Sequence, residues 1–163
     1  MVFSRAGGPV SYLPSADERR FIVVSDREGE EKQAMQIEAF LLADSASDYQ
    51  GKLCLLGAFD TIGAKQLPIT HRHAAVVLRL RFDQIEQGKH TVKLVLIDED
   101  GKSLVDLDGE VNVGFPTERD SAAVNLLLNM NDLKFAAFGT YNFDLAIDGQ
   151  LRARLPLYVV KIP

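Results

Sequence analysis

The sequence contains a single cysteine, Cys54, in 163 residues. One cysteine excludes an intramolecular disulfide, and it agrees with a reducing compartment. A chain of this length buries roughly 70% of the surface that its unfolded form exposes, so one domain can fold on its apolar core alone. We therefore expect a cytoplasmic protein whose stability comes from packing.

Long apolar runs and clusters of positive charge are also missing. No segment approaches the 18 or so apolar residues of a membrane span, and the N-terminus lacks a basic flank followed by an apolar stretch. The net charge of -5 argues against a nucleic-acid partner, because phosphate binding needs clustered Lys and Arg. These absences predict neither membrane insertion, nor secretion, nor nucleic-acid binding.

Catalytic motifs are absent as well. The sequence has no Gly-x-Ser-x-Gly elbow and no Gly-rich phosphate loop between a strand and a helix. Cys54 lies between Leu53 and Leu55 in an apolar segment, where a thiol is expected to be buried and inert. We predict that the protein is not an enzyme and needs no cofactor.

Strict alternation of apolar and polar residues is the strongest positive signal. Residues 141–147 place Tyr, Phe, Leu and Ile on one side and polar or small residues on the other, which is typical of a half-buried strand. Asp148 and Gly149 then supply a two-residue turn, and an apolar segment over 151–162 returns. This pattern predicts the closing hairpin of an all-β domain.

Similar segments recur at short intervals from residue 36 onwards. Strands are predicted at 37–43, 52–62, 75–83, 92–97, 103–107, 111–115, 124–130, 141–147 and 151–162. Turn-forming residues at 44–48 are predicted to end the first strand, and Asp108 with Gly109 is predicted to form a turn or bulge. Gly57 within the second segment indicates a bulge or a close backbone approach. Tyr141 fits the tyrosine corner of an immunoglobulin-like fold. We predict an antiparallel, immunoglobulin-like β-sandwich of seven to nine strands, with an eight-stranded barrel as the open alternative.

The first 34 residues have a different character. Gly and Pro breakers and a charged run over 26–32 predict a poorly ordered N-terminal extension, in which 21–24 is the one candidate for an edge strand. Met35 stands directly before the patterned region, so translation could also begin there. The predicted domain is 35–163.

Four segments of this domain resemble a known family. Residues 35–44, 51–60, 98–101 and 139–143 look like a group of short bacterial proteins carried as a domain of unknown function with an immunoglobulin-like sandwich. The resemblance covers 35–163 and implies the fold and a bacterial origin. It implies no activity and no functional residues, because no activity and no motif of functional residues is established for the family.

Two groups of side chains are candidates for metal binding. His71 and His73 are two apart on a predicted strand, so both imidazoles could reach one metal, with Asp60 or His90 as third ligand. The alternative is that polar histidines at a strand entrance simply meet water. The acidic turn 98–101 offers oxygen ligands for calcium, but an Asp-Gly turn between strands explains it equally.

A basic surface is the candidate for partner recognition. Arg79 and Arg81 point away from the predicted core, and Lys93, Arg152 and Arg154 could join them across strands. Such a face suits an acidic protein partner, because Arg pairs with carboxylates through two parallel hydrogen bonds. The alternative is a solvated face whose charge is neutralised by Asp83 and Asp144.

We therefore predict a non-catalytic protein-interaction module that acts by edge-strand pairing or loop contacts. The final strand, 155–162, contains Pro156 and is predicted at or near a sheet edge. One alternative is a small-molecule or metal-binding protein that uses the loop between Asp60 and His73. Another is an oligomeric structural subunit whose interface contains Phe40, Leu42, Leu56 and Leu127.

Overall fold

A computed structural model describes residues 35–115 and 118–163, and most of them lie in strands. The strands are β1 (Gln36–Tyr49), β2 (Lys52–Phe59), β3 (Thr61–Ala64), β4 (Ile69–Asp83), β5 (Gly88–Ile97), β6 (Ser103–Val113), β7 (Ser121–Phe135), β8 (Gly139–Ile147) and β9 (Gln150–Lys161). One 3₁₀ turn, Gln84–Glu86, joins β4 to β5. The predictions made for residues 1–34 lie outside the described residues.

The strands form two sheets, with the orders β2-β1-β4-β7 and β3-β9-β8-β5-β6. Neighbouring strands are antiparallel except β3 and β9, which are parallel. In chain order, β1, β4 and β7 take the places of strands A, B and E of an immunoglobulin domain, and β5, β8 and β9 take those of C, F and G. The predicted sandwich is confirmed over the barrel, because the two sheets do not share a strand.

The core lies between the sheets and follows the alternation in the sequence. Val76, Leu78, Leu80 and Phe82 of β4 are fully buried, and Tyr141, Phe143, Leu145 and Ile147 of β8 face them. The Tyr141 hydroxyl donates a hydrogen bond to the Ala137 carbonyl oxygen at 2.9 Å. Its ring meets Phe135 edge to face at 4.9 Å between centroids. The predicted tyrosine corner is therefore present.

The closing hairpin is also confirmed. Asp148 (φ 51°) and Gly149 (φ 75°) form the two-residue turn between β8 and β9. Two consecutive positive φ values match the right-handed twist of the flanking strands. Glycine adopts such a value freely, and Asp is one of the few other residues that tolerate it.

Two turn predictions were wrong. Residues 44–48 do not end the first strand: β1 continues to Tyr49, and the chain reverses at Gln50 and Gly51, with the Asp48 carboxylate accepting a hydrogen bond from the Gly51 N–H. Asp108 and Gly109, expected as a turn or bulge, form neither, since both lie inside β6 in regular register with Lys93 and Val92 of β5. Cross-strand pairing overrides local turn preference at both places.

The segment predicted as one strand over 52–62 is divided at Asp60. Residues before it form β2 in the four-stranded sheet, and residues after it form β3 in the five-stranded sheet. Hydrogen bonds from the Tyr158 N–H to the Asp60 carbonyl and from the Ile162 N–H to the Ala64 carbonyl fix β3 alongside β9. The chain therefore changes sheet at Asp60, as it does between strands of a sandwich.

The end of the β1–β2 hairpin is folded over the outer face of its own sheet. Ala39 pairs with Arg79, and Arg79 pairs with Asn125 of β7. Asp48 lies nine residues further along β1, which is about 30 Å in a flat sheet. Its Oδ2 nevertheless accepts a hydrogen bond from Asn125 Nδ2 at 2.6 Å. Residues 44–57, which we call the folded hairpin, must therefore turn back across β4.

A second, smaller core lies beneath the folded hairpin. Ala43, Ala75 and Val77 are fully buried there although their strands present them to the outer face of the sheet. The partly buried side chains that cover them are Leu41, Ala46, Leu53 and Leu127. Small side chains at 43 and 75 permit this close approach, and the burial stabilises the folded position.

The bend of the folded hairpin begins at Gly57, where β2 faces Asp44 of β1. Gly57 has φ 67°, and a Cβ atom there would overlap the Asp44 carboxylate. No bulge occurs at Gly57, and the group that approaches it closely is the Asp44 side chain and not another backbone segment.

We expect Gly57→Ala to destabilise the protein more than Gly51→Ala. Both residues have positive φ, but only Gly57 faces an occupied space. The left-handed conformation costs a non-glycine residue about 1–2 kcal/mol at either position, and at Gly57 the exposed Asp44 side chain must also move away. Chemical denaturation of both variants measures the difference. Equal losses would show that the folded hairpin does not depend on this approach.

Candidate functional site

The two histidines predicted as metal ligands have different surroundings. The His71 ring lies 5.4 Å from the Phe59 ring, at the margin of the main core. His73 is exposed, and its Nδ1 lies 2.9 Å from Asn131 Oδ1. Asp132, opposite this segment, has φ 53°, and burial on β7 passes from Met130 to Leu133 there. The regular alternation assumed for the histidine pair is therefore interrupted.

The proposed third ligands are engaged elsewhere. The Asp60 carboxylate accepts a hydrogen bond from Thr61 Oγ1 at 2.7 Å, and His90 is bound by groups of the other sheet. Within 35–115 and 118–163, no three His, Cys, Asp or Glu side chains are grouped so that they could hold a metal ion. Metal binding by His71 and His73 stays a prediction.

Two carboxylates of the acidic turn after β5, those of Asp98 and Glu99, accept hydrogen bonds from backbone N–H groups. Asp98 Oδ1 accepts hydrogen bonds from the N–H groups of Asp100 and Lys102, at 3.1 and 2.8 Å. Glu99 Oε1 accepts another from the Thr140 N–H at 2.7 Å, which ties the turn to the start of β8. The turn alternative thus accounts for Asp98 and Glu99 without calcium.

Arg79 and Arg81 share one carboxylate, that of Glu38. Arg79 Nε lies 2.6 Å from Glu38 Oε2, and Arg81 Nε donates to Glu38 Oε1. The hydrogen bond from Arg81, with that from Arg79, outweighs burial and lowers the pKa of Glu38. Glu38 reaches both arginines because the register of β1 against β4 shifts between Ile37 and Ala39. Asp83 and Asp144 do not pair with Arg79 or Arg81, although Asp144 does pair with Arg154, as the alternative of a neutralised face expects.

The expected extension of this basic patch was wrong, because Lys93, Arg152 and Arg154 belong to the other sheet. Arg154 makes two hydrogen bonds to Asp144, at 2.6 and 2.7 Å. Lys93 bonds Asp106, and this contact raises the pKa of the lysine. The candidate patch is therefore only two arginines with a shared counter-ion.

Arg79 also helps to hold the folded hairpin. Its Nη1 donates to Asn125 Oδ1 at 2.7 Å, which orients the Asn125 amide so that Nδ2 points to Asp48. The hydrogen bond from Asn125, together with that from the Gly51 N–H, lowers the pKa of Asp48. The sequence does not reveal this chain of contacts, because Asp48, Arg79 and Asn125 are far apart along it.

An apolar cleft opens between β6 and β7, the last strands of the two sheets. Its volume is about 160 Å³. Apolar side chains from both sheets line it: Val92, Leu94, Leu107, Val111, Leu126 and Leu128. No atom lies within 4 Å of the position that a Cβ of Gly109 would take, so the cleft is open beside this glycine. The sequence did not indicate this cleft, because the turn or bulge predicted at 108–109 divided the strand β6 that forms one of its walls.

His90, on β5, forms a polar cluster with Asp148 and Glu86 at one end of the five-stranded sheet. Its Nδ1 lies 2.7 Å from Asp148 Oδ2, and its Nε2 lies 2.7 Å from the Glu86 carbonyl oxygen. Both partners only accept hydrogen bonds, so both ring nitrogens must donate, as in the imidazolium form. Burial opposes this charge, but the bonds to Asp148 and Glu86 outweigh it and raise the pKa of His90. The hydrogen bond from His90 lowers the pKa of Asp148.

Several exposed and buried side chains differ from expectation. Cys54 is exposed, not buried, because β2 is the last strand of its sheet. Of the four residues predicted for an oligomer interface, Phe40 and Leu42 face the main core, Leu127 covers the second core, and only Leu56 is exposed, at 73%.

The final strand was predicted at or near an edge, and it is next to one. β3 pairs with β9 over Tyr158–Lys161, so the short β3 forms the edge of the sheet. Pro156 lies just before the paired segment, where its missing N–H costs no hydrogen bond to β3.

The chain was compared with known protein families and with curated proteins. The model of a family of unknown function, DUF6941, matches residues 38–160. A search of curated proteins found no match. In the described part of the chain, no helix is long and apolar enough to cross a membrane.

We expect the stability of the protein to fall as the pH rises above about 6.5, the ordinary pKa of histidine. A raised folded pKa stabilises the fold fully below that value, and the contribution is lost as the pH rises through the folded pKa. Thermal unfolding between pH 5 and 9 measures the loss, and Asp148→Asn should move it to lower pH. A neutral imidazole by ¹⁵N NMR at pH 6.5 would contradict the assignment.

We expect His71→Phe to stabilise the fold by about 1 kcal/mol. The His71 Nε2 is buried without a hydrogen-bond partner, and Phe keeps the ring contact with Phe59. His73→Phe is the matched control, and it should give no gain because His73 is exposed and bonded to Asn131. Unfolding in urea measures both. Zinc or nickel that raises the melting temperature of the native chain, but not of His71→Ala, would instead support the metal prediction.

Proposed function

The chain belongs to the DUF6941 family of unknown function, and on that premise we propose that it is a non-catalytic protein-interaction module. The proposed site is the cleft between β6 and β7. Its proposed ligand is an extended peptide segment of a partner protein, which adds as a strand to the β6 or β7 edge and places an apolar side chain in the cleft. The apolar cleft between two unpaired strand edges is the observation that carries the proposal.

The backbone supplies the first reason. In the described residues, β6 pairs only with β5, and β7 pairs only with β4, so each strand has one edge without a strand partner. Such an edge presents a row of N–H and C=O groups at the spacing of an extended chain. Peptides that bind by strand addition gain affinity from these main-chain bonds and specificity from pockets for alternate side chains.

The cleft supplies the pocket. Gly109 lies on the inward side of β6 with Val111 and Val113, and its missing side chain leaves the entrance open. The volume of about 160 Å³ is below the roughly 300–1,000 Å³ of pockets that enclose drug-sized ligands. The size favours one or two side chains of a peptide over a small molecule.

The charges beside the cleft favour a particular kind of peptide. Asp106, Asp108 and Glu110 alternate along β6 with the inward-facing positions, and all three are exposed. Lys93 and Lys89 of β5 balance them only in part. A segment with basic residues flanking an apolar centre therefore suits this edge better than an acidic one.

The Arg79 and Arg81 surface is a weaker candidate for the same function. Glu38 already neutralises one of the two charges, and Asn125 and Ser121 each accept a further hydrogen bond from the arginines. Cytoplasmic location and bacterial origin belong to the same proposal, and they rest on the single cysteine and on the sequence resemblance. No observation favours the small-molecule alternative in the loop between Asp60 and His73.

We expect Gly109→Phe to block peptide binding. The residue has neither positive φ nor a close neighbour, so a ring can fill the cleft without straining the backbone. Peptides of eight random residues would be selected on the immobilised full chain, and their affinity measured by fluorescence anisotropy. Gly109→Phe should raise the dissociation constant by at least about tenfold, which corresponds to a loss of roughly 1.4 kcal/mol of binding free energy.

Gly114→Phe is the matched control, because Gly114 is also a glycine without positive φ and with open space around its Cβ position. It should change the affinity less than twofold. The proposal fails if no peptide is enriched, or if the enriched peptides bind both variants equally. It also fails if amide shift mapping places them away from β6 and β7.

A further inference from the structure

β2 is an apolar edge strand, and its outer side carries no feature that would prevent pairing with another chain. β2 is the last strand of the four-stranded sheet, and no described strand pairs with its outer side. Two of its large side chains are exposed, Leu56 at 73% and Leu55 at 41%, and Cys54 between them and Leu53 is exposed too. Exposed hydrophobic residues thus lie where backbone groups are also unpaired.

Edge strands usually carry a feature that prevents pairing with another chain, such as a charge, a proline or a very short length. β2 has eight residues, no proline and one charge, that of Lys52. β3 illustrates the contrast, because it has only four residues. The β2 edge is therefore suited to accept another strand.

The charges at its two ends favour a second copy of β2 in antiparallel orientation. Lys52 begins the strand, where the nearby Asp48 carboxylate is already hydrogen-bonded to Gly51 and Asn125. The carboxylates of Asp44 and Asp60 lie at its other end, beside Gly57 and after Phe59. Antiparallel pairing of two copies places each Lys52 toward the acidic end of the partner. Parallel pairing would place Lys52 beside Lys52. The strand is thus complementary to itself in one orientation.

The exposed leucines support the same arrangement. Leu55 and Leu56 are consecutive on a strand, so they project to opposite faces. In an antiparallel pair each would meet apolar residues of the partner on its own face, and the contact would remove both from water. A two-fold axis through the paired strands repeats every contact, which gives a closed dimer.

From these observations we infer that the chain forms a symmetric dimer by antiparallel pairing of the two β2 edges. The two folded hairpins, each of β1 and β2, then join into one four-stranded antiparallel ribbon. The cleft between β6 and β7 belongs to other strands, so dimerisation and the peptide binding proposed above can fail or succeed separately.

The first test is the mass of the full chain by sedimentation equilibrium over a wide range of concentrations, in reducing buffer. We expect a monomer–dimer equilibrium that the double variant Leu55→Lys/Leu56→Lys weakens at least about tenfold. Leu151→Lys is the matched control, because Leu151 is a 60%-exposed leucine on β9, and it should leave the equilibrium unchanged. A monomer at every concentration, or a dimer unaffected by the double variant, would overturn the inference.

The second test determines strand orientation. Cys54 is the only cysteine, so a Cys54→Ser chain can carry a single new cysteine at 53, 55 or 56, and the native chain tests 54. Residues directly opposite in an antiparallel pair have Cα atoms about 4.5–5.5 Å apart, within the range that a disulfide spans. Mild oxidation should therefore crosslink one position most strongly and its neighbours less. Equal crosslinking at all four positions indicates parallel strands and overturns the inference, as does crosslinking no stronger than that of Leu151→Cys.

Discussion

This structure depends on one constraint, which is that the backbone N–H and C=O groups at the edges of its two sheets need hydrogen-bond partners. A strand at the end of a sheet leaves one row of donors and acceptors without partners. In the described residues these end strands are β2, β7, β3 and β6. The five-stranded sheet ends on one side in β3, whose four residues leave little edge to pair with. The other three edges are longer, and both proposed contacts of the protein lie on them.

Two local irregularities decide which side chains are available on the four-stranded sheet. The register shift at Glu38 turns a carboxylate toward Arg79 and Arg81, which neutralises one of the two positive charges that these arginines would offer to a partner. Gly57 permits the bend that carries the hairpin tip to Asn125. The same bend buries Ala43, Ala75 and Val77 and leaves Leu55 and Leu56 in water. Bulges and glycines thus convert a regular sheet into one with distinct covered and open regions.

Sequence reasoning recovered the core and the closing hairpin, because both follow from local chemistry. The alternation of Val76, Leu78, Leu80 and Phe82 fixes which side of β4 is buried, whatever the neighbouring strands are. Asp148 and Gly149 specify their turn through their own tolerance of positive φ. The same reasoning failed at 44–48 and at 108–109, where cross-strand hydrogen bonds hold turn-favouring residues in extended conformation. It also placed Cys54 inside the protein, because apolar neighbours along the chain do not tell whether a strand lies in the middle of a sheet or at its edge.

The sequence by itself determined the class of fold, the residues of the main core and the closing turn, since periodicity and turn preference act over a few neighbouring residues. Only the tertiary structure decided the sheet order, the partners of Arg79 and His90, and the position of the open cleft. These depend on pairs such as Asp48 with Asn125 and His90 with Asp148, which are separated by 77 and 58 residues. A hydrogen bond across that distance leaves no periodic pattern in the sequence, because either partner has the same local environment whether or not the other is near.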